Sequence, residues 1–124
     1  MNTETRVRAL RGATTLELDE REHLFVRTQE LVAEMLERNE LTEDDLISIV
    51  FTATDDVHSA YPAEAAREAG ITHVPLLCTR ELDIDGGIER CIRILVHAYT
   101  PRTAHDLRHV YLHDARQLRT DLPE

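Results

Sequence analysis

Arg93 stands in the middle of an apolar run, Cys91-Ile92-Arg93-Ile94-Leu95, where an unpaired charge is costly. Two readings are open. One is an internal salt bridge, with Glu81 as partner. The other is an anion site, in which Glu81 is a second polar group facing the same ligand. Other arginines hold comparable places: Arg11 ends the first apolar segment, Arg108 precedes the last, and Arg119 follows Leu118. All 14 cations are arginine and none is lysine. Base composition of the genome accounts for most of that bias. Even so, every cationic site must then be a planar guanidinium, permanently charged and able to hold a carboxylate through two hydrogen bonds. The residues alone point to an arginine-lined pocket for a small acid.

Other chemistries are weaker. No phosphate loop, dinucleotide fingerprint or nucleophile elbow is present, and Gly86-Gly87 is too little for a phosphate cradle. His109 and His113 flank an expected strand, where a spacing of four lacks its helical meaning. Asp55, Asp56 and His58 read as a solvated turn rather than a cation site. Cys78 has His73 and Glu81 nearby in sequence, but nothing pairs them as nucleophile and base, so it reads as a buried or lining thiol. Cys78 and Cys91 have neither metal-like nor disulfide-like spacing. No cofactor or metal is expected.

The elements that must position these residues are legible as patterns. Arg6 to Leu10 alternates as a first strand, with Arg11 to Thr15 as its end and turn. Asp19 reads as an N-cap with Glu22 completing a capping box. Leu24, Phe25, Thr28, Leu31, Val32, Met35 and Leu36 recur at helical spacing over residues 20–38, with Asn39 as C-cap. Thr42 opens a short capped segment. Leu46 to Ala53 is apolar and β-branched, as in a strand buried on both faces. Pro62 begins a short helix ending before Gly70. His73 to Thr79 is a third strand. Ile88 to Thr100 fits helix and strand equally by periodicity, and its β-branched content favours strand. After Pro101 a helical turn leads to a last strand, His109 to Leu112. The order β-α-β-α-β-β-β, with so few helices, implies an α+β or α/β sandwich with its helices on one face.

The chain has 124 residues, read as one domain over 1–124 that can bury a modest core and extend it by oligomerising. A net charge of −10 argues against nucleic acid and, mildly, against anionic membranes. No stretch reaches the length of a membrane span. The first residues, Met1 to Thr5, lack the character of a signal peptide, so a cytoplasmic location is expected.

Several segments, taken jointly and in order, resemble the small homotrimeric chorismate mutases. They are Arg11-Gly12-Ala13-Thr14-Thr15; Ser59-Ala60-Tyr61-Pro62-Ala63 with Arg67; and Val74-Pro75 with Cys78, Glu81, Asp83 and Gly86-Gly87. Cys91-Ile92-Arg93, Arg108-His109-Val110-Tyr111-Leu112 and Leu118-Arg119 complete the set. The resemblance implies a pseudo-barrel trimer with helices outside and active sites at subunit interfaces. It also makes Ile88 to Thr100 a strand. It implies chorismate as substrate and prephenate as product, with no cofactor, metal, nucleic acid or membrane. Arg93 would meet the ether oxygen and Glu81 the ring hydroxyl, while Arg11 and Tyr111 would hold carboxylate. Cys78 would line the ring pocket, with its strand neighbours Leu77, Thr79 and Arg80 also against substrate. Tyr61 and Arg67 would come from a mobile flank, and Leu118 and Arg119 from a closing C-terminal segment. Glu64 and Leu77 depart from the family pattern, which has lysine and threonine there. Two alternatives accompany this reading: a non-catalytic chorismate- or prephenate-binding regulatory subunit, and a reactive-imine deaminase on a similar trimeric fold.

Overall fold

The computed structural model describes residues 4–118. Five strands and two α-helices follow in the expected order: β1 Arg6–Thr15, α1 Arg21–Arg38, β2 Leu46–Ala53, α2 Pro62–Glu68, β3 Leu76–Arg80, β4 Cys91–Thr100 and β5 Val110–Tyr111. Single 3-10 turns occupy Glu43–Asp45, Ala104–Asp106 and His113–Gln117. The strands form one mixed sheet in the order β3-β2-β4-β1-β5. β4 runs antiparallel to both β1 and β2, while β3 and β5 lie parallel to their neighbours at the two edges.

Alternation along the strands divides the sheet into two unlike faces. Leu10, Ile49, Phe51, Ile94, Val96, Ala98 and Val110 form one buried cluster with Leu31, Val32 and Met35 of α1 and Ala63 and Ala66 of α2. Among the described residues no helix packs on the opposite face. There Val7, Leu77 and Tyr99 are 53%, 60% and 51% exposed in the single chain. The reading of β2 as buried on both faces is corrected for the single chain: Ile49 and Phe51 are buried, but Ser48, Val50 and Thr52, which alternate with them, are half-buried.

Where element ends differ from expectation, a hydrogen-bond partner decides. β1 continues through Thr15 instead of turning at Arg11, because its ladder with β4 runs on to the Thr15–Cys91 pair. Gly12 there serves close packing and not a turn: a Cβ at that position would stand 2.5 Å from Met35 Sδ and 3.2 Å from Leu31 Cδ1. The N-cap of α1 is Glu20, whose carboxylate accepts from Glu22 N at 2.7 Å. Asp19 is spent elsewhere, on the N–H groups of His58 and Ser59 at 2.7 and 3.0 Å. β3 starts at Leu76 and not His73, since the Glu43 carboxylate takes the N–H groups of Thr72 and His73 at 2.9 and 3.1 Å. β4 starts at Cys91 and not Ile88, because Arg90 lies in the left-handed region at φ 45°. β5 is trimmed to two residues, with the ring of His109 accepting Arg11 N at 2.9 Å.

Asn39 is the C-cap of α1, as expected, and is also a buried tie. Its Nδ2 donates to the Met35 and Arg108 carbonyls, both at 2.8 Å, and its Oδ1 accepts from Arg108 N at 2.7 Å. Leaving these groups unpaired in the interior costs about 1–3 kcal/mol each. Asn39→Ala is expected to lower the unfolding free energy in urea by about 2–4 kcal/mol.

Candidate active site

The open face of the sheet carries two adjacent rows of side chains, set by strand register. One row reads Leu77, Val50, Leu95, Arg11 across β3, β2, β4 and β1. The next reads Thr79, Thr52, Arg93, Ala13 and, on β5, Tyr111. Arg11 and Arg93 are thus diagonal neighbours on paired strands, with Cα atoms roughly 7–8 Å apart. Tyr111 lies one strand beyond β1 in the row of Arg93. It is buried in a cluster with Ala13, Cys91 and Ala115, against which Leu118 packs. Leu77 and Thr79 sit on the far edge strand, two strand spacings from β4, or about 10 Å. Arg119 lies outside the described residues.

Arg93 and Glu81 meet, as both readings of the sequence require. Arg93 Nε stands 3.4 Å from Glu81 Oε2, with the Arg93 side chain 41% and the Glu81 side chain 23% exposed. The pairing is ionic and not a hydrogen bond: Arg93 Nε is buried and has no acceptor among the described residues. Glu81 Oε2 instead accepts from the Thr52 hydroxyl, and Glu81 N donates to Ala53 O at 3.0 Å. The carboxylate is therefore tethered to β2 while the guanidinium keeps a donor unspent. Burial pushes the Cys91 thiol up to about 11, and the nearby positive charge of Arg93 only partly offsets this. Cys91 is therefore an apolar wall beside Arg93 and not a nucleophile.

Several of the expected residues line two neighbouring depressions that share Thr54 and Asp55. The smaller, about 340 Å³, holds Glu81 and Arg93 together with Asp56, Ile84 and Gly87. The larger, about 900 Å³, holds Tyr61, Cys78, Thr79 and Arg80, with Arg21 and Glu64 on its wall. Burial raises the Cys78 thiol above its ordinary value, with Arg67 and Glu64 close enough to act on it in opposite senses. Arg67 is exposed on α2, and Tyr61, just before that helix, is 66% exposed. Arg80 is engaged by Asp55 through two hydrogen bonds, 3.1 and 2.8 Å. The departure Glu64 is paired with Arg21 at 3.3 Å, and that guanidinium also lies over the Phe25 ring. Within one chain, Arg93, Glu81, Arg11 and Tyr111 form one group, and Tyr61, Arg67 and Cys78 form another.

The loop before Tyr61 is held by Asp19. Burial acts to raise its carboxyl, but hydrogen bonds from Ser59 and His58 outweigh it and leave it below the usual value. Sequence reasoning missed Asp19 in this role, and missed Thr52 as the hydroxyl that holds Glu81. The signal for Thr52 was its place two residues after Val50 on the same face. Nothing local marked Asp19, because its partners are some forty residues away in the chain. His109 and His113 do not converge: His113 pairs with Glu30 at 2.8 Å, and His109 serves the backbone of Arg11.

Comparison with known proteins gives the family and the fold. Residues 7–122 match the family model for chorismate mutase type I. The chain is 38% identical over 117 residues to chorismate mutase AroH of Bacillus subtilis, covering 94% of this chain and 92% of that protein. It is 44% identical over 117 residues to chorismate mutase AroH of Thermus thermophilus, covering 94% and 96%. A solved chorismate mutase from Clostridium thermocellum superposes with a TM-score of 0.87 at 44% identity, covering 89% of this chain and 98% of that one.

Proposed function

The chain belongs to the type I chorismate mutases, isomerases of aromatic amino acid biosynthesis, and from that premise we infer how its own residues rearrange chorismate to prephenate. The substrate is a dianion, and the reaction moves no atom between molecules. One carbon–oxygen ether bond breaks while one carbon–carbon bond forms, with no proton, electron or leaving group exchanged. What remains for the protein is to hold the flexible dianion in its reactive chair and to stabilise charge as it develops.

Arg93 is the residue assigned to that charge. As the ether bond lengthens, negative charge grows on its oxygen. A guanidinium donor aimed there binds the transition state more strongly than the ground state, the condition for acceleration. The observation that carries this assignment is the buried Nε of Arg93, held beside Glu81 yet donating to nothing among the described residues. In this reading Glu81, which Thr52 holds, accepts from the ring hydroxyl of the substrate. Arg11 and Tyr111, on the strands beyond, take a carboxylate.

The second group, Tyr61, Arg67 and Cys78 with Leu77, Thr79 and Arg80, belongs in this reading to a neighbouring copy of the chain. Leu118 closes the site in the same reading; Arg119, given that role by the family resemblance, lies outside the described residues. A homotrimer joined through the open sheet face would cover Val7, Leu77 and Tyr99 and bring the two groups together. The support is the separation of the groups within one chain and the apolar exposure of that face. We take 1–124 as one catalytic domain acting in the cytoplasm. Among the described residues no helix is long and apolar enough to cross a membrane.

The direct test follows the loss of chorismate absorbance on adding protein stripped of metal by a chelator. Turnover that persists without metal is the expected result. Prephenate binding without turnover would convert the assignment to a non-catalytic binding subunit.

A further inference from the structure

Arg93 is only the third residue of β4, and the segment before it is exposed, with Leu82 and Ile84 79% and 66% accessible. Something other than the strand ladder must hold the start of β4, because a misplacement of about 1 Å at a reacting centre can cost about 100-fold in rate. The residue at that start is Arg90, in left-handed backbone at φ 45°. An L-residue with a Cβ is strained there.

The partners of this strained residue come from the end of β2. Both Asp56 carboxylate oxygens share the Arg90 N–H, at 3.1 and 2.9 Å. The Asp56 Oδ1 also accepts from the Thr54 hydroxyl at 2.6 Å. With its one proton given to Asp56, that hydroxyl turns a lone pair to Cys91 N, at 2.9 Å. Thr54 N in turn donates to Cys91 O at 3.1 Å. On the other side, Leu16 N donates to Arg90 O at 2.8 Å, and Arg90 Nε donates to Leu16 O at 3.0 Å. The same stretch of chain, residues 52–56, thus holds Glu81 through Thr52 and Ala53, and the approach to Arg93 through Thr54 and Asp56.

We propose that Asp56 is a positioning residue for the chemical step, clamping Arg90 in its left-handed conformation so that Arg93 is aimed relative to Glu81. This rests on the assignment of Arg93 to the breaking ether bond. Asp56 is exposed on the wall of the depression that also holds Arg93 and Glu81, but among the described residues it forms no ion pair with Arg93, and in this proposal it does not touch the substrate. Its effect passes through two backbone bonds, at Arg90 and, by way of Thr54, at Cys91.

The test compares Asp56→Ala, Arg90→Gly, the double variant and Arg93→Ala, measuring kcat and KM for chorismate together with thermal midpoints. Glycine adopts φ 45° without strain, so it needs no carboxylate to hold it there. Asp56→Ala is expected to lose about 10- to 100-fold in kcat with KM little changed, in line with a misplaced group and not a weakened hold on substrate. Arg90→Gly keeps near-normal kcat, and the double variant recovers most of the loss. A merely structural role predicts the reverse, with the double variant worse than either single one in both stability and rate. That outcome, or wild-type kcat in Asp56→Ala beside a crippled Arg93→Ala, overturns the clamp alone. Wild-type kcat in Arg93→Ala overturns the assignment of Arg93 and the clamp with it.

Discussion

Replacing Arg93 with alanine is expected to lower kcat by at least about 100- to 1,000-fold, the cost of removing a single neutral donor from a developing oxyanion. A guanidinium carries a full charge and acts in a partly closed depression, so that range is a floor. Prephenate affinity falls far less, because the guanidinium grips the transition state more strongly than either ground state. Arg93→Lys retains the charge but not the fixed Nε that lies beside Glu81, and recovers only part of the rate. The fold tolerates the change, since the Arg93 side chain is 41% exposed and its one ion pair is to a carboxylate already tethered by Thr52. The check is steady-state chorismate turnover beside a thermal melt. Near-normal kcat in Arg93→Ala would remove this residue from the chemistry.

Mixing two inactive variants separates a shared site from an internal one. Arg67→Ala removes a cation from the α2 group and Arg93→Ala removes one from the β4 group, and each alone cripples turnover. If every site takes Arg67 from one chain and Arg93 from its neighbour, mixed trimers regenerate intact sites. Half of the chains supply each residue, so co-expression in equal amounts restores about a quarter of wild-type activity per site when assembly is random. If both residues served a site within one chain, no mixture would contain an intact site and activity would stay at the level of the variants. The structure gives reason to expect the first result. Cys78, with Arg67 beside it, faces the larger depression, Arg93 lines the smaller, and about two strand spacings separate β3 from β4.

Much of this protein was legible in its sequence because the relevant physics is local or periodic. The apolar spacing of α1, the β-branched run of β2 and Pro62 at the head of α2 each reflect short-range packing and backbone preference, and each element forms as expected. A single arginine inside an apolar strand marked the candidate site before any geometry was known, because an isolated charge there needs a partner or a ligand. Which of those it had was beyond the sequence. Strand order and register decided that Arg93 stands by Glu81, diagonal to Arg11 and in the row of Tyr111, from positions scattered over most of the chain. Element ends were decided the same way. Asp19, Glu43 and Asp56 read alike as polar residues near turns. Only the fold directs their carboxylates to backbone N–H groups 29 to 40 residues away. Side-chain type and spacing determine what a residue can do and which face of its element it occupies. Which donor meets which acceptor depends on closing long loops in one register, and only the packed sheet settles that.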